Sequence, residues 1–343
     1  MLKQQTIHNN VSNNKNVVIM KNTLIHFLQT FGIILVVMGH CGKDIPYLTT
    51  AIYSFHMPLF VFISGFLLFF KGNVFSNVST LTFHIKKIKR LLIPYILISS
   101  IAFVIKTFLS EFSMRPIKLS VTAYIKGLIF PWDNPIIFFW FLPTIFALLI
   151  LNFLFFKYAP IKNTLTKKYI LILISLILHF YPFPEIDFFN ISGIFKYQIY
   201  FILGGLFVDL KLMHLKIKSN MYFIAIITSI IIAINSIWPV NYSYIRLTIA
   251  IIGILFSISL AYIYVDKSKS FLNHLWGYSF SIYLFSWFPQ VIIRILGFQV
   301  FDIHLGLVWF FSTIFGIYIP FWSVKIIKER KNIPDFVKFV CGI

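Results

Sequence analysis

The chain has 343 residues, of which 59% are hydrophobic and only 12% charged, with a mean hydropathy of +0.87. A chain this apolar excludes a water-soluble globule, which would need far more charged surface. The formal charge of +20 would suggest nucleic acid in a soluble protein; here the cations fall between apolar runs with no basic stripe or aromatic-basic interleaving, which excludes that partner.

Residues 1–22 are polar and Asn-rich and lead into a long apolar run with no small-residue cleavage site. They read as a cytoplasmic tail before a retained signal-anchor. A span needs roughly 20 apolar residues, and on that rule about ten helices follow, near 23–41, 47–70, 91–109, 136–156, 168–182, 194–210, 220–238, 245–265, 275–297 and 304–326. The expected fold is therefore all-α, a polytopic transmembrane bundle of about ten spans. Lys and Arg gather in the N-terminal tail, the even-numbered loops and the C-terminal tail, while the odd-numbered loops are poorer in them. The positive-inside rule then puts both termini in the cytoplasm. One membrane domain is expected over 23–326, with tails over 1–22 and 327–343, and no repeat or separate soluble domain.

Cys41 and Cys341 stand at opposite ends of the chain, so neither a structural disulfide nor a zinc site is expected, and no metal is called for. The polar residues inside the spans are His26, Gln29, His40, His56, Ser64, His179, Arg246 and Arg294, with almost no carboxylate. Ion-coupled pumps usually bury carboxylates, so this inventory points away from them.

The first two helices carry the chemistry. His40 ends the first helix, and Gln29 lies about 16.5 Å below it and about 20° around it, on the same face. His26 lies near that face too, and Gly32 and Gly39 permit close approach. In the second helix His56 precedes Pro58, which removes a backbone donor and frees a carbonyl near Ser54. The short connection makes the two helices antiparallel neighbours, with both imidazoles near one end. A lone membrane histidine often does no more than bond a neighbouring backbone; two flanking one hairpin, with Gln29 in register, favour a shared pocket. An imidazole there suits general-base work. Cys41 is unsuited to partner His40, because adjacent helix residues do not face each other, and Asp44 reads as solvated although it could orient a ring.

The third helix opens with "HIKKIKRLLIPYI". Its cations chiefly report the positive-inside bias, but Arg90, with Lys87 nearby, abuts the apolar run before Pro94 and could hold a phosphate bidentately. "FFWFLPTIF", 138–146, reads first as an aromatic belt and second as a place where Trp140 lines an acceptor site.

These pieces resemble the integral-membrane acyltransferase 3 family, in the branch similar to polysaccharide O-acetylases. The match rests on "LQTFGIILVVMGH" ending at His40, "SFHMPLFVFISG" with His56, Pro58, Phe60, Ser64 and Gly65, "KRLLIPY" with Arg90 and Pro94, "WFLP" at 140–143 and "GYSFSIYL" at 277–284. The resemblance implies acetyl-CoA as donor and a cell-surface glycan, or its polyprenyl-linked precursor, as acceptor, in a bacterial plasma membrane. It implies that His40 is catalytic; the reading of the residues adds His56 as its catalytic partner, Arg90, Lys87 and Gln29 as donor contacts, and Trp140, Ser64 and Tyr283 as acceptor contacts. Membrane lipid surrounds the protein, and a homo-oligomer is compatible with it. Two positions depart from the family pattern: Gln29 stands where Arg or Lys is usual, and Ser286 where many members have His. A glycolipid flippase or exporter is the alternative from another class, and succinyl-CoA or another acyl-CoA is the alternative donor.

Overall fold

The computed structural model describes residues 22–41, 45–70, 74–112, 115–209, 218–265, 271–330 and 332–342. The N-terminal tail before Asn22, Lys43, Asp44 and Lys71, and most of the cations of the loops near 210–217 and 266–270, lie outside the described residues.

The described residues are all-helical apart from turns and connections. Apart from a single turn at Val74–Asn77 and short 3-10 turns, the helices in chain order are α1 (Asn22–His40), α2 (Pro46–Phe70), α3 (Thr80–Phe108), α4 (Val121–Ile129), α5 (Phe141–Tyr158), α6 (Thr164–Phe180), α7 (Ile191–Asp209), α8 (Lys218–Ile237), α9 (Ser243–Val265), α10 (Ser279–Phe285), α11 (Trp287–Ile295), α12 (Leu305–Glu329) and α13 (Asp335–Val340). Eight helical segments among the described residues are long and apolar enough to cross a membrane, and nine if the pair Ser279–Phe285 and Trp287–Val300 is one bent span. Of the ten expected spans, eight or nine reach that length and hydropathy among the described residues. The predicted helix at 168–182 exists as α6, but it has 17 residues, and Lys167 and Lys168 are buried in its first turns. The predicted helix at 275–297 is broken, bending by 43° at Ser286.

Chain chemistry accounts for the other irregularities. α3 starts 11 residues earlier than predicted (Thr80 against 91) and widens into a π-turn over Ile88–Leu92. Pro94 follows directly; it has no N–H for the carbonyl of Arg90, so a wider turn costs the helix little there. The predicted third loop contains α4.

α2 lies at the centre of the bundle, against α5, α7, α8 and α9. Its crossing with α7 is backbone to backbone: a Cβ on Gly65 would lie 1.9 Å from the Phe201 carbonyl oxygen, and one on Gly204 2.0 Å from that of Phe62. In lipid, where apolar side chains gain little by leaving their solvent, such close packing of small residues is what holds helices together. Phe138, Phe139 and Trp140 are buried here, so "FFWFLP" serves the core rather than a lipid-facing belt.

Candidate active site

The last carbonyls of any helix lack an intrahelical donor. At the end of α1 three side chains supply donors. Gln290 Nε2 of α11 donates to the Val37 carbonyl at 2.9 Å, the Cys41 thiol donates to the same oxygen at 3.1 Å, and the Tyr53 hydroxyl of α2 donates to the Gly39 carbonyl at 2.9 Å. These bonds hold the backbone on both sides of His40.

The same tyrosine reaches the His40 ring, with its oxygen 3.3 Å from Nδ1. A hydroxyl has one proton. If that proton is on Gly39, the tyrosine oxygen accepts from Nδ1–H, which leaves the lone pair of His40 on Nε2. His56, one turn further along α2, has Nδ1 2.8 Å from the Ile52 carbonyl, which can only accept, so its lone pair is also on Nε2. His56 is 1% exposed, and its Nε2 is buried with no hydrogen-bond partner.

The rings form one cluster. The His40 and His56 centroids are 6.3 Å apart, Tyr53 is 5.7 Å from His40 and 5.1 Å from His56, and Phe138 packs on His40 at 4.7 Å. Arg294 of α11 lies within electrostatic range of His40, and its Nε donates to the Gln290 carbonyl at 3.3 Å. The two imidazoles expected to converge at the first hairpin lie side by side, and the structure places Tyr53, Gln290 and Phe138 around them. Tyr53 sits three residues before His56, on the same side of α2, and that spacing was the signal available for it in the chain.

The other sequence candidates lie elsewhere. Gln29 is half-buried on α1, well below His40. Ser64 donates its hydroxyl to the Phe60 carbonyl of its own helix at 2.9 Å, two turns beyond His56. Tyr283 is buried behind Phe138, donating to its carbonyl at 2.5 Å and stacking on Phe139. Trp140 is 7% exposed and sandwiched between Trp132 and Tyr197 at 5.2 and 5.4 Å. Arg90 is exposed beside Phe280, and Lys87 lies over the Phe83 ring. Both are at the opposite end of the bundle: Lys106, at the His40 end of α3 and also within range of Arg294, is about 24 Å from Arg90 by helical rise.

Several buried polar atoms among the described residues have no hydrogen-bond partner. They include His26 Nδ1, Thr30 Oγ1, Trp276 Nε1 and Ser286 Oγ, contributed by α1 and the α10 region, and His26 stacks on Trp276 at 5.4 Å. Buried polar groups normally find partners, so such orphans mark places where a ligand can supply one.

The acyltransferase domain of the acyltransferase 3 family matches residues 22–326 of the chain. Comparison with curated proteins and with solved structures gives no match. The chain belongs to the acyltransferase 3 family: it is a multi-pass membrane acyltransferase that takes an acyl donor and an acceptor, and the transport alternative gives way to that activity.

Proposed function

We propose that this membrane acyltransferase moves an acetyl group from cytoplasmic acetyl-CoA to a hydroxyl of a cell-surface polysaccharide, such as an O-antigen, capsule or exopolysaccharide, or of its polyprenyl-linked precursor. The observation that carries the proposal is the His40–Tyr53–His56 cluster, two imidazoles with centroids 6.3 Å apart at one end of the bundle, the first held at Nδ1 by Tyr53 and the second by the Ile52 carbonyl. The membrane is the plasma membrane of a bacterium, both termini are cytoplasmic, and the His40 end faces outward.

In this scheme the donor's phosphates rest near Arg90 and Lys87 at the inner end. Its pantetheine arm runs outward along α1, where its amides meet His26, Gln29 and Thr30 and satisfy the orphaned polar atoms there. Gln29 contributes hydrogen bonds in place of a fixed charge, and Arg90 supplies the cation.

His40 Nε2 then takes the proton of the acceptor hydroxyl, and the oxygen attacks the thioester carbonyl. The C–S bond breaks, and the leaving thiolate takes the proton from His40. Charge develops on the carbonyl oxygen during the attack, and the field of Arg294 stabilises it. The unpartnered Nε2 of His56 accepts from the acceptor and aims its hydroxyl.

Replacing His40 with Ala should abolish O-acetylation of the surface glycan while the protein still inserts, read as loss of the acetyl methyl signal in NMR spectra of the purified glycan. Near-normal acetylation would overturn the proposal.

A further inference from the structure

The end of the bundle that carries His40 also holds a cavity of about 770 Å³, which the chemistry above does not use. It is walled by the ends of α2, α6, α7, α8 and α9, and its size is that of a site for a ligand of a few rings, roughly 300–1,000 Å³. Tyr53 is part of its wall, so one tyrosine both lines the cavity and bonds the His40 ring.

The lining has a definite chemistry. Tyr197 and Tyr200 present an aromatic wall, and Tyr197 is backed by Trp140, which is in turn backed by Trp132. Such a stack is rigid and offers faces to the C–H side of a pyranose. Asn235 and Asn241 supply amides of the kind that pair with hydroxyls.

Lys196 and Arg246 add two cations, and no Asp or Glu is among the described lining residues. The Arg246 guanidinium donates to the neutral Asn241 Oδ1 at 3.1 Å. Lys196 has Glu185 at 3.6 Å, a pair so exposed on both sides that an incoming anion can displace it. A planar guanidinium with an ammonium nearby matches a carboxylate or phosphate in both geometry and charge.

We propose that this cavity is the acceptor subsite and that it selects a sugar bearing a negative charge, read by Arg246 and Lys196, with Tyr197 and Tyr200 stacking on its ring. The inference rests on the acyl-transfer role given above to the His40 cluster. The anion's source is either a uronic acid or a glycosyl phosphate.

The test measures binding to the detergent-solubilised full chain by saturation-transfer NMR, with cellobiouronic acid, cellobiose and glucose 1-phosphate as probes. At least one acidic probe should bind about tenfold or more tightly than cellobiose, and which one it is identifies the source of the charge. Arg246→Gln should abolish that preference and leave cellobiose binding unchanged, and Lys196→Gln should reduce it in part. On the unmodified chain, raising the salt concentration should shrink the preference, a readout that survives if Arg246→Gln fails to fold. Equal binding of all three probes, no binding of any, or a preference indifferent to both salt and Arg246→Gln would overturn the proposal. Acidic-sugar binding without acetyl transfer would sink the O-acetylation proposal and leave the subsite standing. Transfer with no preference for charge would sink the subsite alone.

Discussion

At the scale of single residues, the two imidazoles are not equivalent. His40 ends a helix whose last carbonyls are held from outside, by Gln290 and Tyr53, whereas the His56 ring is held by a carbonyl of its own helix. Tyr53 is therefore a positioning residue: it fixes the orientation and tautomer of His40 without being needed to move the proton. Tyr53→Phe keeps the ring contacts and removes the hydroxyl, which frees the imidazole to rotate and to exchange tautomers. The expected result is a fall in kcat of about tenfold or more, with the donor KM little changed, short of the roughly 10²–10⁴-fold that a general base contributes. Acetyl transfer by purified Tyr53→Phe protein measures it; unchanged kcat would remove Tyr53 from the site. The chain offered only the spacing of Tyr53 from His56; its bonds to the Gly39 carbonyl and the His40 ring were not legible because those partners belong to another helix.

At the scale of helices, the site depends on how α2 is seated. α2 carries both Tyr53 and His56, and the Gly65–Gly204 crossing sets its depth against α7. Gly204→Ala would drive a methyl to 2.0 Å from the Phe62 carbonyl oxygen, so the helices must part. Overpacking of this kind costs about 1–3 kcal/mol. The expected outcome is a lower melting temperature in detergent together with reduced transfer, because α2 shifts as a unit. Gly306→Ala is the control, since its Cβ would meet nothing closer than 3.5 Å. A Gly204→Ala protein as stable and active as the control would show that the crossing does not position the site. Gly65 was noticed in the chain as part of "FISG", but its partner across the bundle was not, since nothing local to either glycine names the other.

At the scale of the whole molecule, the proposed function needs two ends with different tasks, a donor end near Arg90 and an acceptor end at His40. Their placement on opposite faces of a membrane can be checked by thiol labelling, because the native Cys41 and Cys341 are both buried and should stay silent. A membrane-impermeant maleimide added to intact cells should label Tyr242→Cys, at an exposed position beside the large cavity. Lys86→Cys, exposed near Arg90, should react only after permeabilisation. The reverse pattern would invert the proposed orientation and send the donor elsewhere. Ser64 and Tyr283, expected as acceptor contacts, already spend their hydroxyl protons on carbonyls, one in its own helix and one at Phe138, which leaves each only its oxygen lone pairs for a ligand.

The sequence by itself determined that the chain is a helical membrane protein, that the first two helices form a hairpin and that His40 and His56 meet at one end of it. All of that follows from local quantities: apolar length, 100° of rotation per residue and a connection too short to allow anything but an antiparallel neighbour. Only the tertiary structure decided that Tyr53 lies between His40 and a cavity, that Trp140 braces that cavity's wall from behind, and that Lys168 of α6 is buried against the Gly205 carbonyl and Asp209. Each of these rests on a contact between residues far apart in the chain, and in a uniformly apolar sequence the hydrophobic pattern that would show which face of a helix meets which neighbour is absent.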